Sequence, residues 1–82
     1  MIYQPKGVCS SSIEIETDKN IIKSVNFTGG CNGNLQGISN LVQNMPIDLA
    51  IQKLKGIKCG FKSTSCPDQL AYALEIILED NQ

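Results

Sequence analysis

The chain contains no arginine and no histidine. Without arginine it lacks the planar fork that reads guanine edges and clamps phosphates at two points. A formal net charge of −1 supplies no basic surface in its place, so nucleic acid is not an expected partner. Without histidine, Ser63, Thr64 and Ser65 have no imidazole base, which excludes a serine hydrolase of the familiar kind. No C-x-x-C pair occurs, so the spacing carries no standard zinc signature. No stretch approaches the roughly 18 to 20 apolar residues that cross a bilayer, and no membrane association is expected. The start, "MIYQPKGVC", has neither the charged head nor the apolar run of a signal peptide. The expected location is the cytoplasm. Structural disulfides are uncommon there, and a small multi-cysteine domain more often binds metal or does thiol chemistry.

What is present fits one small domain spanning residues 1–82, with 41% hydrophobic and 18% charged residues. A core of this size alone gives a thin stability margin. In "VCSSSIEIET", Ile13 and Ile15 alternate with Glu14 and Glu16, the period of a strand with one wet face. Asp18, Lys19 and Asn20 supply turn chemistry, and "IIKSVNF" follows with Ile21, Val25 and Phe27 on one parity, which predicts a hairpin. "MIYQ" is a candidate third, edge strand. From Asn32 the period becomes helical: Leu35, Ile38, Leu41, Val42 and Met45 make one stripe before Pro46. A second helix is predicted from about Pro46, burying Ile47, Ala50, Ile51 and Leu54 and stopping at Gly56. The third starts with Pro67 at its first position and Asp68 at its positive end, and buries Leu70, Ala73, Leu74, Ile77 and Leu78. The predicted class is α+β: a small antiparallel sheet of two or three strands followed by three helices packed on one face. An uncovered sheet edge makes self-association as a homodimer an expectation.

The four cysteines are the candidate site. One hairpin register pairs Ile13 with Phe27, Ile15 with Val25 and Cys9 with Cys31. The next pairs Cys9 with Gly29 and leaves Cys31 two residues beyond. Either puts both thiols at one end of the sheet, within roughly 7 Å along the chain. A bulge among Ser10, Ser11 and Ser12 would change the facing but not the end. Cys31, in the turn "TGGCNGN", and Cys66, before Pro67, precede helices, whose N-terminal charge favours thiolate, the form that binds metal or attacks. Lys53, Lys55, Lys58 and Lys62 flank Cys59 and would offset clustered thiolates, although Lys53 and Lys55 also suit a helix C-terminus on their own account. Cys9, Cys31, Cys59 and Cys66 are therefore candidate ligands of one metal ion. Plainer readings stand beside this one: a free cysteine is a good small core residue, and Cys9 could bridge to Cys31 as a disulfide. The glycines of "TGGCNGN" match no phosphate-loop pattern and suit a tight strand-to-helix turn.

Thr64-Ser65-Cys66-Pro67-Asp68 spells the motif that names the TSCPD domain. With "GVCS" at Gly7–Ser10, "FTGGCNGN" at Phe27–Asn34 and "GIKCG" at Gly56–Gly60, the likeness covers about residues 5 to 79. The chain resembles the short, stand-alone four-cysteine TSCPD proteins of bacteria, and the same domain forms a C-terminal region of cobalamin-dependent ribonucleotide reductases. The resemblance implies an accessory or interaction domain linked to ribonucleotide reduction, with ribonucleotide reductase or another protein as partner. The chain has no room for a radical cofactor and a nucleotide pocket together, so no reductase turnover is expected from it alone. A second likeness is to NifU/IscU-like iron–sulfur scaffold proteins. Cys9, Cys31 and Cys66 take the places of three scaffold cysteines, while Ser11 and Ser65 stand where the scaffold has aspartate and histidine. Cys59 would complete an all-sulfur set, which is closed and suits holding a metal, zinc first, more than passing on a cluster. An iron–sulfur carrier, a thiol-redox partner of a reductase, and a nucleotide-binding regulatory domain using Gly29–Gly33 are the alternatives.

Overall fold

The computed structural model describes residues 1–30 and 32–81. Strand β1 (Ile2–Tyr3), β2 (Ser10–Asp18) and β3 (Ile21–Gly29) form an antiparallel sheet in the order β1-β2-β3. Three helices follow: α1 (Asn32–Val42), α2 (Ile47–Leu54) and α3 (Cys66–Asp80). The α+β class and the order of elements are those expected, with "MIYQ" contributing the short edge strand.

Lys19 and Asn20, both at positive φ (52° and 65°), make the two-residue turn between β2 and β3, the geometry whose twist matches a hairpin. The pairing of Ile13 with Phe27 and of Ile15 with Val25 is the first of the two registers anticipated. It does not persist to the turn. Glu16 pairs with Ser24 but Thr17 pairs with Ile22, so Lys23 is an extra residue and the parity of β3 flips there. Ile22 consequently enters the core, and Ile21, expected there, is only half-buried. A second shift lies between Ser10 and Ser12, with Ser10 opposite Gly29. The bulge anticipated among the serines is therefore present, and Cys9 sits just past the last pair. The expected pairing of Cys9 with Cys31 falls outside the described residues.

The exposed face of the sheet carries Glu14, Glu16, Lys23 and Asn26. Its other face supplies Ile13, Ile15, Ile22 and Val25 to one cluster with Val42, Ile47, Ala50, Leu70, Ala73 and Leu74. Leu35 and Val42 are buried on α1 and Ile38 packs beside the core, but Leu41 is 76% exposed, against expectation. At about 100° per residue, Leu41 points roughly a quarter-turn away from the stripe that the other three define. After α1 the chain returns to β3. Asn44 donates to the Ile22 carbonyl (2.7 Å), the Ile22 amide donates to Met45 (2.9 Å), and Pro46 bridges to Ile21. This covers the first residues of the β3 edge. Gly56 follows α2 at φ 89°, the stop that its position suggests. The helix α3 begins one residue earlier than expected, at Cys66, so Pro67 is its second residue.

Candidate functional site

The start of α3 is built from its own motif. Ser65 is extended (φ −151°, ψ 170°) and caps the helix, its hydroxyl accepting from the Asp68 amide at 3.2 Å and donating to the Ile57 carbonyl at 2.7 Å. The Asp68 side chain, expected to answer the helix's positive end, turns instead toward the preceding loop. It accepts from the Gly56 amide at 2.7 Å and from the Thr64 hydroxyl. The Thr64 oxygen in turn accepts from Gln69 Nε2 at 3.0 Å, and Gln69 Oε1 accepts from the Lys6 amide (3.1 Å) and the Tyr3 hydroxyl (3.3 Å). Among the described residues no buried side-chain polar atom is left without a partner. Thr64, Ser65 and Asp68 therefore fasten the loop of residues 55–65 to α3, and Gln69 fastens the N-terminal segment to it. Ser65→Ala removes the cap and strands the Ile57 carbonyl; it should cost about 1.5 kcal/mol, measured as a shift in the urea midpoint at unchanged slope.

Cys66 is the one polar member of the pentapeptide left out of this fastening. Its sulfur lies 3.2 Å from the hydroxyl of Ser10, a buried residue at the bulged end of β2. Cys9 is exposed just before that strand, with the Lys62 ammonium 3.9 Å from its sulfur. Cys59 is exposed in a tight turn, where the Lys62 amide donates to its carbonyl (3.0 Å), Gly60 takes φ 59°, and its own amide donates to Thr64 (3.2 Å). These thiols, from three separate segments, line one groove of about 440 Å³. Leu35, Ile38 and Ile57 line it, as do Lys58 and Lys62, and among the described residues no carboxylate does.

Three of the four candidate ligands, Cys9, Cys59 and Cys66, line this groove together. Cys31 lies outside the described residues, although Asn34 and Leu35 of α1 reach the groove. Gly30, at φ 80° in the left-handed region that favours glycine, turns the chain into α1; a Cβ there would stand 2.9 Å from Leu35 Cδ1, which would have to shift. Within the groove the three thiols do not form a ligand shell. Among the described residues no group of three or more cysteine, aspartate or glutamate side chains is close enough to hold a metal ion. Of the flanking lysines, Lys58 and Lys62 are at the groove. Lys53 lies in the last turn of α2, and Lys55 pairs with Glu75 at 2.9 Å, which raises its pKa through that hydrogen bond and the facing charge. Ser10 was not among the sequence candidates, because only the bulge at Ser11 aims it at Cys66.

No helix among the described residues is long and apolar enough to cross a membrane. No curated protein and no solved structure matches the chain. A family model does, the TSCPD domain, over residues 1–78. That match takes in the strand end bearing Cys9, the turn bearing Cys59, and the pentapeptide whose hydrogen bonds assemble the groove around them: the chain belongs to the TSCPD domain family.

Proposed function

We propose that the chain is an accessory domain of ribonucleotide reduction whose groove holds one thiophilic metal ion, zinc, through Cys9, Cys59 and Cys66. Cys31 is the fourth ligand on the sequence reading. The observation that supports this is the meeting of three thiols from three segments in one groove that no carboxylate lines among the described residues. The donor set fits the metal: all sulfur, from residues that are exposed or half-buried and so can be reached. Cys9 precedes its strand and Cys59 sits in a turn, so drawing the sulfurs together moves loops and leaves the core alone. Bound zinc would supply folding energy to a domain whose core is small. The link to ribonucleotide reduction comes from the family resemblance.

One observation favours a second reading, a thiol-redox partner: the described thiols stand apart, and an ammonium is beside one of them. Elemental analysis of protein purified without added metal separates the two. The metal reading expects close to one zinc per chain in a colourless protein, lost in Cys66→Ser, and a thermal midpoint that falls when a chelator is added. Metal-free protein that melts unchanged in chelator overturns it and leaves the redox reading. Brown protein carrying iron and sulfide overturns both in favour of an iron–sulfur carrier.

A further inference from the structure

Phe61 is fully exposed, the most exposed large apolar side chain of the described residues. It has not folded back onto the apolar floor of the groove beside it. The loop that carries it is pinned at both ends, by Gly56 to Asp68 and by Ser65 to Ile57, and braced across the middle by the Cys59 amide on Thr64. The backbone that presents Phe61 as a knob is thus held in place before docking, which reduces the loop ordering that association costs. Lys58 and Lys62 flank it, and no acidic residue occurs from Lys53 to Pro67. The knob is apolar at its centre and positive around it.

The complementary surface is on the same chain. Alongside β1, α2 and α3 lies an open groove of about 720 Å³ with Tyr3, Tyr72 and Ile76 on its floor and Asp48, Glu75 and Glu79 at its rim. No lysine lines it. Glu75 is paired with Lys55, but Asp48 and Glu79 make no ion pair among the described residues. Tyr72 and Ile76 are each 41% exposed, so the floor is open to a ligand. The knob cannot enter the groove of its own molecule. It precedes the first residue of α3, while Ile76 lies about 15 Å along that helix, and Phe61 is not among the groove's lining.

We propose that Phe61, with Lys58 and Lys62, docks into this acidic groove on a second copy of the chain. Knob and groove have opposite charge, and each is apolar at its centre, which is the pattern that steers association and fixes its register. Knob and groove are different patches, so two copies can exchange knobs reciprocally or join head to tail; either association grows with concentration and differs from the sheet-edge dimer that the sequence suggested. Lys58 and Lys62 also line the cysteine groove, so the contact is measured with the metal content of the protein held constant.

Light scattering on the full chain, with reductant present to exclude disulfides between exposed thiols, tests this. At low salt the wild-type mass should rise well above 8.9 kDa as concentration approaches about 1 mM, and fall back at high salt. Phe61→Asp spoils the knob and keeps the groove; Glu79→Lys with Ile76→Lys spoils the groove and keeps the knob. Each should run at the single-chain mass; Phe61→Asp should leave the thermal midpoint unchanged, since Phe61 is fully exposed, and the groove variant, with Ile76 41% exposed, should keep its helical circular dichroism. Mixed one to one, the two variants should form a species of twice 8.9 kDa and nothing larger, because one intact knob meets one intact groove. A wild type that stays single-chain throughout overturns the proposal, and so does Phe61→Asp associating like the wild type, or a mixture in which the variants ignore each other.

Discussion

Asp68→Ala is expected to lower the unfolding free energy by about 3 kcal/mol and the thermal midpoint by roughly 15 °C. The carboxylate is 3% exposed and accepts from the Gly56 amide and the Thr64 hydroxyl, which belong to the two ends of the loop that carries Cys59. Alanine leaves both donors facing a void. If the loop stays down, each unpaired donor costs about 1–3 kcal/mol. If it lifts to let water in, the loop loses its anchor and its entropy must be supplied elsewhere. Either route destabilises, and a smaller effect is expected from Asp68→Asn, which keeps one acceptor oxygen for Gly56. Thermal melts of the two variants side by side check the order. A loss under about 1 kcal/mol in Asp68→Ala would mean that the loop is not held through this carboxylate.

Leu74→Ala should cost still more, about 3.5 kcal/mol by urea unfolding, a large part of what a domain this small can possess. Leu74 is fully buried in the one cluster that also holds Ile13, Ile15 and Val25 of the sheet and Ala50 of α2. The neighbours are anchored in regular elements, so the cavity left by truncation cannot collapse. Leu41→Ala removes the same atoms from α1 and should change the midpoint by no more than about 0.5 kcal/mol, because the side chain is mostly in water. Equal effects at the two positions would contradict the packing described above.

That contrast also marks how far the sequence could be read. Leu41 and Leu74 both sit at helical spacing from other apolar residues, and which of them is buried depends on which face of its helix meets the sheet. For α3 the assignment holds because Leu70, Ala73 and Leu74 all fall on one narrow face. For α1 the stripe Leu35, Ile38 and Val42 excludes its own neighbour Leu41. The hairpin was legible where Ile13 and Ile15 set its parity, and illegible at Lys23, since a bulge is a choice made by the twist of two strands together. At the site, hairpin register put Cys9 and Cys31 at one end of the sheet, and Cys66 could join them only if α3 packed with its N-terminus at that end, which no periodicity decides. The partners of Thr64, Asp68 and Gln69 did not, because each lies across a loop whose path no periodicity fixes. One signal went unused: Ser65 followed three residues later by Asp68 has the spacing of a helix cap. The scaffold likeness rests on cysteine order alone, while the family assignment rests on the match over residues 1–78.

The fastening around Ser65 bears on what the pentapeptide can stand for when it turns up in another chain. Thr64, Ser65 and Asp68 act through hydroxyl and carboxylate oxygens, and Pro67 through its fixed φ; none of them needs sulfur at the third place. A descendant that swapped Cys66 for serine or alanine would keep every bond that ties the loop to the helix. Selection on architecture and selection on chemistry can thus act separately inside five consecutive letters. Kinship traced through this motif is kinship in a way of anchoring a loop, and relatives sharing it are free to have put the thiol to different uses or to have given it up.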